Sequence, residues 1–301
     1  MNENPRSWRR RLWDLTKTLG WLVLLALIVQ QIWWAPFRAD AARARVLDRF
    51  QRERQSRVIA MIHRKETQSI FGVPVLQSIT IEDSEAILRA IRQTAPERPI
   101  DLVLHTPGGL VLAAEQIAKA LVEHKGRVTV FVPHYAMSGG TLIALTADEV
   151  VMDPNAVLGP VDPQIGGFPA ASILKVVELK RPVRVSDEML VLADIAAKAR
   201  LQVASFVAAI LLKHHPKDRA EALAIALTEG RWTHDFPITV EAARQLGIPV
   251  SANMPPIIYE LMDLYPQGRA GRPSVLYVPI RRERDHPLDF GGPPPRAPEE
   301  K

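Results

Sequence analysis

The chain contains no cysteine. That excludes disulfides, thiolate metal sites and cysteine nucleophiles, and it leaves the redox compartment open because such a chain fits either side of a membrane. Zinc-ligand spacing, a phosphate-binding loop and an ATPase motif are also missing, so neither a metal nor a cofactor is expected. The adjacent pair His214-His215 does not change this, since neighbouring side chains do not point the same way for one ion. No internal repeat is present.

The rest of the composition is ordinary for a globular protein, with 47% hydrophobic and 24% charged residues. The net charge of +5 is unevenly spread, because arginine is dense from Arg6 to Arg11 and again from Arg38 to Arg57. Between those clusters lies one uncharged, apolar run, 18–37, with Trp21 near one end and Trp33 and Trp34 near the other. Roughly 20 helical residues span about 30 Å, enough to cross a bilayer once. Its tryptophans sit where an interfacial belt would put them. The arginines therefore suit a membrane surface better than nucleic acid. A cleaved signal peptide is the rival; the length of the run, its bulky end and the lack of a small-x-small site favour an uncleaved anchor. Basic residues flank both ends, so the side on which the rest of the chain lies stays open.

The predicted organisation is a basic segment 1–17, a transmembrane helix 18–37, a basic juxtamembrane helix 38–57, a catalytic-sized domain 58–252 and a C-terminal extension 253–301, with a tail dominated by charge and proline from Pro279. Within the domain, strands near 58–62, 101–105, 127–132 and 149–152 alternate with helices near 84–91, 110–124 and 138–147. That alternation predicts a mostly parallel α/β core. Asp83 or Ser84 is expected to cap the first of those helices, and Ala113, Ala114, Ile117, Ala118 and Leu121 to face inward from the second. Residues 157–167 read as a Gly- and Pro-rich loop. Longer helices are expected over 187–213 and 217–227, and a short one capped by Thr239 and stopped by Gly247.

Two turns carry the chemistry. His105-Thr106-Pro107-Gly108-Gly109 follows an apolar strand, and Tyr135-Ala136-Met137-Ser138-Gly139-Gly140-Thr141 puts a serine at the mouth of a helix. Such a serine is a candidate nucleophile, or else a simple helix cap. In a parallel sheet the two turns fall at the same edge, where the N–H groups of Gly108, Gly109 and Gly139 could converge on one oxygen. Acyl transfer is the chemistry this pattern predicts. His105 and His134 lie near enough in sequence to shape or line such a site.

Together with Met152-Asp153-Pro154-Asn155 and the helix and turn from Thr239 to Val250, these runs resemble the Clp-protease and crotonase superfamily. Within it they are most similar to the serine dehydrogenase proteinase family of Clp-fold enzymes, related to signal peptide peptidase A. The resemblance covers about Val58 to Ser251. It implies a spiral of ββα units, serine peptidase activity on polypeptides without a cofactor, and homo-oligomeric assembly. The stretch that holds the base in Clp peptidases, Leu158 to Gln164 here, has no histidine but has Asp162, while His234 stands where those enzymes have aspartate. The family's order Ser, Asp, His is supplied by Ser138, Asp162 and His234, an acceptable exchange because a triad is defined by geometry. A Ser-Lys dyad, as in signal peptide peptidase A, is the alternative; Lys175, among Ile173, Leu174, Val176 and Val177, is then the candidate base. Two other functions stay open: a crotonase-like acyl-CoA enzyme, which would not need Ser138, and a catalytically inactive membrane scaffold.

Overall fold

The computed structural model describes residues 5–63, 77–180 and 184–265; within the first helix the side chains of 5–12, 14, 15, 23 and 25–37 lie outside the description. The tail from Pro279 and the turn expected at Gly72 and Pro74 fall outside the described residues.

Helix α1 (Pro5–Arg54) is followed by β1 (Arg57–Ile62), α2 (Ile81–Arg92), β2 (Ile100–His105), α3 (Val111–Glu123) and β3 (Val128–Val132). Next come β4 (Tyr135–Ala136), α4 (Gly139–Ala144), β5 (Glu149–Met152), β6 (Val157–Leu158), β7 (Gln164–Ile165) and β8 (Phe168–Pro169). Helices α5 (Ala170–Leu179), α6 (Asp187–Leu211), α7 (Lys217–Thr228) and α8 (Val240–Leu246), strand β9 (Val250–Ser251) and helix α9 (Pro256–Asp263) complete the described chain.

The main sheet has the order β1-β2-β3-β5-β9, and every pairing in it is parallel. Its strands are apolar on both faces because both are covered. The register places Ala60, Val103, Phe131 and Val151 side by side. That row packs against Val46 and Phe50 of α1 and against Ile257, Ile258 and Leu261 of α9. The Phe50 and Phe131 rings meet edge to face with centroids 5.4 Å apart, a geometry favoured by the ring quadrupoles. On the other face lie Ile59, Leu102, Val130 and Val150, with the five residues of α3 expected to point inward all buried. Burying side chains of this size contributes about 1.5–3 kcal/mol each.

Two local expectations are corrected, and one segment is filled in. The cap of α2 is Thr80, whose hydroxyl accepts the Asp83 N–H while the Asp83 carboxylate takes the Thr80 N–H, so Asp83 is the third residue of a reciprocal capping box. Residues 157–167 contain β6 and β7, the first of which pairs in parallel with β4 to make a small second sheet. The start of the C-terminal extension is ordered as α9, whose apolar face is needed to cover the sheet.

The run 18–37 is helical as part of α1, and that helix continues without a break into the segment expected to lie next to the membrane. Among the described residues no helix is long and apolar enough to cross a membrane. The junction of α1 with the sheet is polar and buried. Asp101, 1% exposed, accepts from Arg54 Nε (2.9 Å) and Ser56 Oγ (2.7 Å), so its desolvated charge has two charge-assisted or neutral donors.

Candidate active site

Ser138 lies between β4 and α4 with φ 51° and ψ −116°. A positive φ in a residue with a Cβ is strained, at about 1–3 kcal/mol, and such strain concentrates where a side chain must be presented. No side-chain capping bond is made by Ser138. The alternative reading of this residue as an ordinary helix cap therefore loses its mechanism.

The turn beside it needs glycine. Gly108 and Gly109 have φ of +100° and +156°, and a Cβ on Gly108 would stand 2.8 Å from Ser138 Cβ, one on Gly109 2.3 Å from Ile79 N. Both peptides that meet at Gly108 are held: the Gly108 C=O, in the Gly108–Gly109 peptide, accepts the Ile79 N–H (2.7 Å), and the Gly108 N–H, in the preceding peptide, is given to Thr106 Oγ1 (3.1 Å). In a trans peptide the N–H opposes the C=O, so the Gly109 N–H points away from Ile79. Its nitrogen lies 3.8 Å from where a Gly139 Cβ would stand, which brings it beside the start of α4. Thr106 also ties the two turns together, since Met137 N–H donates to Thr106 C=O (3.0 Å) and Thr106 N–H to Tyr135 C=O (3.2 Å).

Asp162 and His234, 72 residues apart, meet with His234 Nδ1 2.8 Å from Asp162 Oδ1. Two backbone bonds between Leu158 and Ile238, both 2.9 Å, bring their segments together, and Val161 N–H donates to Leu227 C=O (2.8 Å). Thr141 Oγ1 accepts the Gly159 N–H (3.0 Å) and so fixes this segment to α4. Asp162 is 3% exposed, and its other oxygen accepts from Gln164 Nε2 (2.6 Å). With Nδ1–H directed at the carboxylate, Nε2 of His234 is left as the basic nitrogen.

One cavity of about 250 Å³ is lined by Ser138, Gly109, Gly139, Asp162 and His234 together, with Pro107, Val111, Leu142, Val161, Pro163, Gln164 and Val203. Lys175 is not on that lining. Its side chain is 59% exposed on α5 and pairs with Glu178 at 2.9 Å. His105 and His134 are also off it: His105 is buried against the Tyr135 ring, and His134 is exposed. Among the described residues no three His, Asp or Glu side chains gather as a metal cluster would require.

Reading the sequence missed Gln164, Thr106 and Thr141. Gln164 had a signal, since it stands two residues from Asp162 in a segment that is not helical and so shares its side.

A family model described as ClpP-like SDH-type serine proteinase matches residues 10–287. The protein MJ1495 of Methanocaldococcus jannaschii is 55% identical over 238 residues, covering 79% of this chain and 81% of its own. MJ0137 of the same organism is 52% identical over 266 residues, covering 88% of this chain and 92% of its own. Among solved structures, ClpP1 from Listeria monocytogenes aligns with a TM-score of 0.42 at 15% identity, over 68% of this chain and 96% of that one. The match of the family model over most of the sequence establishes that the chain belongs to the ClpP-like SDH-type serine proteinases.

Proposed function

We propose that this chain is a membrane-anchored serine endopeptidase that works through an acyl-enzyme on Ser138. The observation that carries the reading is the 2.8 Å contact of His234 with buried Asp162 in the cavity that Ser138 lines. Ser138 Oγ attacks the peptide carbonyl carbon while His234 Nε2 takes its proton, and Asp162 holds the ring and stabilises the imidazolium. The oxyanion receives the N–H groups of Gly109 and Gly139, whereas that of Gly108 is engaged by Thr106. Collapse expels the amine, which leaves with the proton from His234. Water, deprotonated by the same nitrogen, then releases the acid and regenerates Ser138. Lys175, exposed and paired with Glu178, lacks the desolvation that a lysine base needs.

The anchor rests on the uncharged run 18–37 inside a continuous helix. Substrates are extended polypeptides, with membrane-protein or signal-peptide fragments first among them. The apolar wall of Pro107, Val111, Leu142 and Val203 suits an apolar side chain next to the cut bond. Assembly with copies of itself is supported by Leu179, Leu190, Val191 and Leu201, all exposed on α5 and α6.

Labelling the full chain with a fluorophosphonate tests the reading. The expected result is one label on Ser138, lost in His234→Ala and kept in Lys175→Ala. Labelling that survives His234→Ala and fails in Lys175→Ala would reassign the base. A Ser138→Ala chain that degrades an unstructured protein as fast as wild type would end the proposal.

A further inference from the structure

A second polar network lies behind the glycine turn, outside the cavity that holds Ser138, with His63 and Thr106 buried and Asp83 half-buried. His63, 7% exposed, follows β1. Its Nδ1 is 2.7 Å from Thr106 Oγ1 and its Nε2 is 3.3 Å from Asp83 Oδ2. A carboxylate only accepts, so Nε2 carries the ring proton and Nδ1 accepts the Thr106 hydroxyl proton. Thr106 Oγ1 is thereby turned so that its lone pair receives the Gly108 N–H (3.1 Å). The same Asp83 oxygen takes the Thr80 N–H (2.8 Å), next to Ile79, whose own N–H holds the Gly108 carbonyl (2.7 Å). Two of the hydrogen bonds at Gly108 thus lead back to one carboxylate, through His63 and Thr106 on one branch and through Thr80 and Ile79 on the other, and Thr106 Oγ1 also lies 3.4 Å from the Gly108 carbonyl oxygen.

We infer that His63, with Thr106 and Asp83, is a positioning group that fixes Gly108 from both of its peptides and so keeps the Gly108–Gly109 peptide turned with the Gly109 N–H aimed at the developing oxyanion. The inference rests on the peptidase reading given above. His63 touches neither substrate nor Ser138, and its role is to keep the peptide from rotating. If that peptide turned over, its carbonyl would face the site in place of the N–H and repel the oxyanion. Burial lowers the His63 pKa below its ordinary value, although Asp83 opposes the shift. A neutral ring is the form that the hydroxyl of Thr106 requires as its acceptor.

The test compares kcat and KM for hydrolysis of a chromogenic ester by the full-length chain, with active sites counted by fluorophosphonate. His63→Phe, which fills the space without an acceptor, and Thr106→Val are each expected to lower kcat per titrated site at least about tenfold with KM nearly unchanged. That is less than the 10²–10³-fold of deleting a donor outright. The double variant should be no slower than the worse single, because both break one chain of bonds. His63→Asn, which returns an acceptor near the position of Nδ1, should recover most of the rate. Should His63→Phe fail to fold, Thr106→Val against Thr106→Ser carries the same comparison. An unchanged kcat per site in His63→Phe, or losses that multiply in the double variant, overturns the inference alone. A wild-type chain that takes no label at Ser138 overturns the peptidase reading with it.

Discussion

Replacing Asp162 by asparagine isolates the charge in the proposed triad. The carboxylate is 3% exposed and holds His234 Nδ1 at 2.8 Å and Gln164 Nε2 at 2.6 Å. Asparagine keeps the shape, and the exposed amide of Gln164 can turn its oxygen toward the new NH₂, which leaves the Asn oxygen for the His234 Nδ1–H. What is lost is the attraction between the imidazolium formed at the transition state and a full negative charge. At an effective dielectric constant of about 20, two unit charges about 4 Å apart attract by about 4 kcal/mol, which corresponds to roughly 10³-fold in rate. The expected outcome is therefore a fall in kcat near 10³-fold, with KM within a factor of about two and a thermal midpoint shifted by only a few degrees. Steady-state ester hydrolysis and thermal denaturation of the same preparation measure the three quantities. A loss below tenfold in a fully labelled enzyme would refute the assignment of Asp162. A loss matched by unfolding at the assay temperature would refute the electrostatic account.

Gly109→Ala should reduce hydrolysis at least about 10²-fold, the size of losing an oxyanion donor, because its Cβ would sit 2.3 Å from Ile79 N; activity with the same ester checks this. Arg54→Ala leaves Asp101 buried with Ser56 as its remaining hydroxyl partner, which should destabilise by about 2 kcal/mol and lower the thermal midpoint by roughly 4–8 °C. Burial lowers the pKa of His63, His214 and His215, with Lys213 and Arg219 adding to the effect at the last two while Asp83 and Asp148 oppose it at the first two. The unfolded chain binds more protons than the folded one just below the ordinary histidine value, so stability is full above pH about 6.5 and declines as pH falls beneath it. Urea titrations from pH 8 to 5 should show that decline, and a flat profile would refute it.

The parallel sheet was legible because its strands are buried on both faces and so read as short, mostly apolar runs within 101–105, 127–132 and 149–152. Ser138 stood out as a candidate only through its context, a serine opening a helix beside the Pro-Gly-Gly turn, since Ser-Gly-Gly alone is also what an ordinary helix cap looks like. The pairing of Asp162 with His234 could not come from spacing, since it depends on the bridge between Leu158 and Ile238; only resemblance to a family supplied it. Lys175 looked buried because its sequence neighbours are apolar. In a helix, adjacent residues face different directions, so α5 buries Ile173 and leaves Lys175 in solvent. The cap at Thr80 was missed because Asp83 and Ser84 are equally good capping types, and the choice between them and Thr80 is made by the box that Thr80 and Asp83 close together.

The backbone of Ser138 has an evolutionary corollary. At φ 51° the position is one where glycine would relax the chain, so Ser138→Gly is expected to make the protein tougher while silencing it. A lineage that used the fold only as a scaffold would gain from that exchange at every generation. Under the proposed mechanism, a serine at this strained position is what selection for turnover would retain, and the residue found there becomes a simple criterion for telling working enzymes from retired ones among relatives of this chain.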